Sequence, residues 1–337
     1  MKLRIGLIGQ GKDWNSRYKP SLRLMQDRLE VRSVYSAVSA LAESIAHDFN
    51  AHRSEGYREM LSRPDIDAVL VLESEWYGIA PIMAACDFGK SVFCGAEVDL
   101  SPTTAFMVKQ RVDQSGIAFM TELPRRFAPA TLRLKELIAT RLGRPKLLFC
   151  HRRLQREDGD TNRCPRSLTA RADRELVELI DWCGYIVGEN PTWVQGIGHK
   201  TEPDSLCHDY QVLSLGFFDR GDGPATLAQV SCGAYMPSTW PEAITFRPPA
   251  AVQVCCEKGV AFVDLPTTLV WFDAAGRHQE TLDQELSIGQ QQFTQFHRAV
   301  TSLLRTVSGL ENLTCAIHAL EQAKESMLIG RRVQLDC

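Results

Sequence analysis

The segment Lys2 to Gly11 constrains the fold of this chain more than any other. Leu3, Ile5, Leu7 and Ile8 make an apolar strand that runs directly into Gly9-Gln10-Gly11. A buried strand followed by a glycine turn and a helix presents bare backbone N–H groups. It also presents the positive end of the helix dipole, and both suit a pyrophosphate. This is the opening of a dinucleotide-binding fingerprint. Its third glycine would fall at position 14, where the chain has Trp14. Gly9, Gln10, Gly11, Lys12 and Trp14 are therefore the first candidates for contact with a dinucleotide.

The text that follows alternates strand and helix. Tyr18 to Arg28 reads as a helix, Val31 to Ala37 as a second strand and Leu41 to Phe49 as a helix. Ile66 to Leu72 is a nearly continuous apolar run, as expected of a parallel strand covered on both faces. Ile79 to Phe88 reads as a helix that stops at Gly89. Ser91 to Cys94, a helix over Thr103 to Ser115 and a strand over Ile117 to Thr121 complete the pattern. Such alternation predicts a doubly wound parallel sheet over residues 1–123.

After Pro124 the pattern changes. A helix over Ala130 to Leu142, a strand over Lys146 to Leu154 and a helix over Ala172 to Ile186 lead into β-rich text from Pro191 to about Trp271. Asp219 to Gly223 reads as a hairpin turn. Gln292 to Leu304 and Leu313 to Leu328 read as closing helices. Residues 124–337 are expected to form an α+β domain on a mainly antiparallel open sheet. At 337 residues two domains are the natural expectation.

Composition narrows the function classes. A net charge of −3 gives no electrostatic reason to expect nucleic acid or an anionic membrane. No apolar run approaches the roughly 20 residues that span a bilayer. No signal-peptide pattern precedes the first strand, so a cytoplasmic location is expected. The 11 cysteines include no C-x-x-C pair, which points away from a structural metal and from a disulfide framework.

Several motifs in the right order resemble the Gfo/Idh/MocA oxidoreductases, a family that includes glucose–fructose oxidoreductase and inositol dehydrogenase. They are Gly6-Leu7-Ile8-Gly9-Gln10-Gly11, Ile66-Asp67-Ala68-Val69 and Phe88-Gly89-Lys90-Ser91-Val92-Phe93-Cys94. Further along come Arg126-Phe127-Ala128-Pro129, Asp181 with Gly188-Glu189, Lys258-Gly259, and Ser326 with Gly330 and Val333. The departures fall on positions that carry function in the family. Ser36 stands at the ribose-binding acid, Glu73-Ser74-Glu75 replaces Thr-Pro-Asn, and Gly78 replaces a histidine. Gly95-Ala96-Glu97 replaces Glu-Lys-Pro, and Glu178-x-x-Asp181 replaces His-x-x-Asp.

The resemblance implies an oxidoreductase that uses NAD or NADP on a sugar, polyol or related hydroxylated small molecule. Ser36, Leu72, Glu73 and Gly95 join the glycine turn as implied cofactor-binding positions. Asp181 and then Glu178 are the implied proton-transfer residues; three apart, they share a helix face, and mutual repulsion would raise one carboxyl. Arg126, Lys200 and His208 are candidates for substrate contact. No metal site is expected. The family also implies a homodimer or homotetramer through the C-terminal sheet. The alternative is a catalytically degenerate member that serves as a ligand-binding or regulatory module.

Overall fold

The computed structural model describes residues 2–95, 101–156, 166–200, 208–217, 225–237, 239–246, 249–283, 286–302 and 309–336. The chain divides into two units: Met1–Phe127 with Glu285–Thr314, and Ala128–Gln284 with Cys315–Cys337.

The first unit is a six-stranded, all-parallel sheet. Its elements are β1 (Leu3–Ile8), α1 (Lys19–Leu24), β2 (Leu29–Tyr35), α2 (Ser39–Phe49), β3 (His52–Arg53), α3 (Tyr57–Ser62) and β4 (Ala68–Val71). They continue with α4 (Ser74–Tyr77), α5 (Ala80–Asp87), β5 (Ser91–Cys94), α6 (Pro102–Ser115) and β6 (Phe119–Thr121). The order β3-β2-β1-β4-β5-β6 is that of a doubly wound dinucleotide-binding domain. β4 and β5 are buried at every residue, which is why their sequences read as unbroken apolar runs. The order reverses between β1 and β4, and the crevice at that reversal is where such sheets take ligands.

The region after the glycine turn departs from the expected single helix. A π-helical turn spans Trp14–Tyr18, α1 follows it, and β2 already begins at Leu29. A further correction concerns the boundary between the units. The sequence placed everything after residue 123 in the second domain, but Glu285–Thr314 belongs with the first. The reason is aromatic packing. Phe293 and Phe296 of a helix spanning Ile288–Thr301 (α10) lie 5.2 and 5.7 Å from Phe93 of β5, centroid to centroid. That helix opens on a capping box between Ser287 and Gln290. It passes α1 so closely that a Cβ on Gly289 would strike the Ser21 hydroxyl.

The second unit contains α7 (Pro129–Leu137), β7 (Pro145–Arg156), α8 (Arg166–Val187), β8 (Trp193–His199), β9 (Tyr210–Phe217) and β10 (Thr226–Pro237). α9 (Pro241–Thr245), β11 (Val252–Cys256), β12 (Gly259–Asp264), β13 (Thr268–Asp273) and β14 (Gly276–Thr281) follow. The chain closes with α11 (Leu310–Ile329), which belongs to this unit from Cys315 onward, and β15 (Val333–Gln334). Nine strands form one sheet in the order β14-β13-β12-β11-β7-β10-β9-β8-β15. Among the described residues of this sheet, only β7 and β10 pair in parallel. α8 lies on one face of this sheet and buries Leu176, Leu179, Ile180, Trp182, Cys183 and Ile186 there. The tryptophan N–H donates to the Thr131 hydroxyl at 3.1 Å. β9 and β10 are antiparallel neighbours, as the expected hairpin requires, although Asp219 to Gly223 lie outside the described residues. Cys315 is disulfide-bonded, contrary to the sequence spacing. Disulfide pairing follows spatial approach of the two cysteines, which spacing alone does not report.

Candidate functional site

The glycine turn sits at the carboxyl end of β1. Gly9 and Gly11 have φ of +73° and +68°, a region that glycine enters without the Cβ penalty other residues suffer. At both positions close approach adds a second reason for glycine. A Cβ on Gly11 would overlap the Leu72 carbonyl oxygen, and one on Gly9 would overlap the Glu73 side chain. Gly95 is also tight: a Cβ there would lie 3.1 Å from the Tyr18 hydroxyl and 3.4 Å from the Leu72 carbonyl. Gly9, Gly11, Leu72 and Gly95 are thus brought together around the ends of β1, β4 and β5. Ala96, at the missing lysine, lies outside the described residues.

The backbone N–H of Gly9 donates to the Tyr35 carbonyl at 2.9 Å, so it belongs to the sheet. The N–H of Gln10 points instead at the Glu73 carboxylate, with Oε2 at 3.5 Å. The turn therefore already faces an anion, supplied by the chain itself. A backbone N–H that faces an anion at the end of β1 is the donor chemistry a phosphate oxygen requires, although Glu73 and Tyr77 crowd the same space beside Gly9. On this observation the residues of the turn fit a dinucleotide.

The remaining cofactor candidates are arranged differently from expectation. Trp14 is only 2% exposed. It packs in the first unit's core, edge-on to Phe49 at 6.1 Å, instead of lining the groove. The wide π-helical turn accommodates the indole where a third glycine would let an α-helix press close. Lys12 is exposed beside the turn. Ser36 is buried, and its hydroxyl accepts the Val38 N–H at 3.3 Å, a local turn contact.

Sequence reasoning did not single out Tyr77. Its hydroxyl accepts the Ala37 N–H at 2.7 Å, its ring lies 5.8 Å from Tyr35, and Cε2 comes within 3.2 Å of a Cβ built on Gly9. Burial pushes its phenol upward in pKa. Gly78 follows with φ of +59°, the left-handed turn that ends α4. This backbone demand accounts for glycine at a position where the resembled family has histidine.

Also missed was a buried group at the end of β6. The Glu122 carboxylate accepts from the Tyr18 hydroxyl and pairs with Arg17. Burial, then the neighbouring carboxylate, raises the Tyr18 phenol far above its ordinary value, so it stays protonated. The sequence signal was the lone acid in the apolar text Phe119 to Leu123. Arg126 reaches Asn312 of the same unit.

In the second unit Asp181 is buried on α8, and Glu178, one turn earlier, is half-buried. Lys200 and His208 stand within electrostatic range of each other. Burial first, and then the Lys200 charge, lowers the His208 imidazole. Its ring packs directly over Gly198 of β8.

Comparison with known proteins places these features. Residues 3–122 match the GFO_IDH_MocA family, described as an oxidoreductase family with an NAD-binding Rossmann fold. The chain is 28% identical over 153 residues to the dehydrogenase aclE of Aspergillus oryzae, a match covering 42% of each chain. It is 27% identical over 227 residues to an inositol 2-dehydrogenase/D-chiro-inositol 3-dehydrogenase of Shouchella clausii, covering 64% of this chain and 62% of that one. The chain thus matches less than two thirds of the length of either relative. A levoglucosan dehydrogenase in complex with NADH and levoglucosan superposes with a TM-score of 0.82 at 15% identity, over 100% of both chains. That likeness is one of fold.

Proposed function

The N-terminal domain of this chain belongs to the Gfo/Idh/MocA oxidoreductases, and from that premise we propose that the protein is an NAD- or NADP-dependent dehydrogenase of a sugar, polyol or related hydroxylated small molecule. The observation that carries the reading is the Gly9–Gly11 turn. It pairs left-handed glycines with an anion-facing Gln10 N–H at the strand-order reversal of a six-stranded parallel sheet. The relatives whose names give a substrate act on polyhydroxylated rings, which supports the substrate class. The comparisons lend no support to a regulatory, non-catalytic role.

In this reading Gln10 would hold a phosphate oxygen, with the Leu72 carbonyl and Gly95 as the floor beside it. When bound, the nicotinamide supplies a two-electron acceptor for the hydride of a carbinol carbon. Asp181 takes the hydroxyl proton as that carbon becomes a carbonyl, with Glu178 one turn earlier on the same helix. Lys200, His208 and Arg126 are assigned to substrate hydroxyls. His208, lowered by burial and Lys200, is a neutral donor and acceptor near pH 7. A cytoplasmic homodimer or homotetramer is part of the same reading. The exposed Leu147, Phe149, Leu227 and Phe272 on the strands of the nine-stranded sheet support association, and a monomer mass by light scattering would contradict it.

The test is reduction of NAD⁺ or NADP⁺ with a panel of cyclic polyols and sugars, read as absorbance of the reduced nicotinamide. Turnover should fall by about a hundredfold to ten-thousandfold in Asp181→Asn, with dinucleotide affinity unchanged. Turnover unaffected by Asp181→Asn would remove that residue from the assignment. Absence of turnover with every substrate would count against the dehydrogenase.

A further inference from the structure

We propose that Glu73 and Tyr77 form an internal plug over the dinucleotide groove, so that a dinucleotide binds only by displacing both side chains. The proposal rests on the dehydrogenase reading above and adds a specificity and regulatory element to it. One short helix and the residue before it reach both ends of the groove. Glu73 places its carboxylate opposite the Gln10 N–H, on the turn that receives phosphate. Tyr77 places its hydroxyl on the Ala37 N–H, just beyond β2, where a dinucleotide-binding domain receives the adenosine ribose.

The two groups crowd the turn at Gly9. A single added methyl carbon on Gly9 would already lie 2.8 Å from Glu73 Oε2 and 3.2 Å from Tyr77 Cε2, and closer still to Glu73 Cβ. One N–H cannot serve a carboxylate and a phosphate at once, and two anions at this spacing repel. Tyr77 is held from behind by Tyr35, itself edge-on to Tyr57 at 5.9 Å. Gly78, with φ of +59°, follows directly after α4. Rotation of the Glu73 and Tyr77 side chains, or a shift of α4 about Gly78, would open it. The apparent affinity for a dinucleotide is then reduced by the fraction of molecules that are open.

The experiment has two readouts on the full chain. The first is the amide spectrum without nucleotide: Glu73→Ala should shift the Gln10 amide, and Tyr77→Phe the Ala37 amide. The second is NADH titration followed by its fluorescence. The Kd should fall by about tenfold in Glu73→Ala and further in Glu73→Ala with Tyr77→Ala. Asp27→Ala, which removes one exposed carboxylate elsewhere, should leave it unchanged. An unmoved Gln10 amide in Glu73→Ala overturns the plug. Saturable NADH binding of equal strength in all the proteins also overturns it and leaves the dehydrogenase reading standing. A shifted Gln10 amide with no saturable binding to any variant overturns the dehydrogenase reading, and the plug with it.

Discussion

Trp14 occupies the third-glycine position of the fingerprint, yet it behaves as a core residue. Buried beside Phe49 and Leu22, it replaces the close helix–strand approach that glycine permits with an apolar contact. Removing it leaves a large cavity, so Trp14→Ala should cost about 3–5 kcal/mol of stability. The measurement is the urea midpoint of the full chain; an unchanged midpoint would return Trp14 to the surface of the groove. Glu73 illustrates a different limit of residue-level reading. The sequence marks it as an awkward carboxylate near a dinucleotide, but not that it faces the Gln10 N–H, because 63 residues separate the pair. Tyr77 left no signal at all, since a tyrosine in a short polar segment has no distinctive spacing.

Among the elements, α10 departs furthest from the sequence order of the domains. The strands of the first unit were legible because a parallel strand covered on both faces is an unbroken apolar run, as in Ala68–Val71 and Ser91–Cys94. The helix periodicity of α10 was equally legible over most of its length. Its attachment was not, because contact with Phe93 joins positions 200 residues apart (293 − 93) and leaves no local pattern. Phe293→Ala should therefore loosen the first unit by about 3–5 kcal/mol. The readout is hydrogen exchange. Amides of β5 should exchange faster, while those of β11 in the second unit keep their rates. Unchanged β5 exchange would contradict the assignment of α10 to the first unit. β14, with the polar text Gly276–Thr281, escaped the β-rich reading because this outer strand carries His278 and Glu280, not apolar residues, on its half-buried face.

For the whole molecule, stability should depend on pH through two histidines of the second unit. Burial and Arg153 lower the His151 imidazole, and burial and Lys200 lower that of His208. His151 is further held between Ser231 and Tyr235, at 2.7 and 3.2 Å. With folded values below the ordinary histidine value of about 6.5, the unfolded chain takes up protons first as the pH falls. Stability should be full near pH 7 and decline from there downward through the folded values. His151→Asn should flatten that decline in midpoints measured across this range, and an identical slope would contradict it. The fold class, and the family likeness of residues 3–122, were readable because a strand followed by a glycine turn is a local motif. The state of the cofactor groove was not, because it depends on which side chains meet over Gly9.

The proposed dehydrogenase requires the Gly9–Gly11 turn to hold a dinucleotide. Calorimetric titration of NADH and NADPH into Glu73→Ala, alone and combined with Gly11→Ala, tests it most directly. A Cβ on Gly11 cannot avoid the Leu72 carbonyl and would sit in a left-handed conformation, so it closes the turn itself. Saturable binding of at least one dinucleotide to Glu73→Ala, lost when Gly11→Ala is added, is the expected result. Saturable binding that survives Gly11→Ala in a protein that remains folded, or no binding to Glu73→Ala at all, would contradict it.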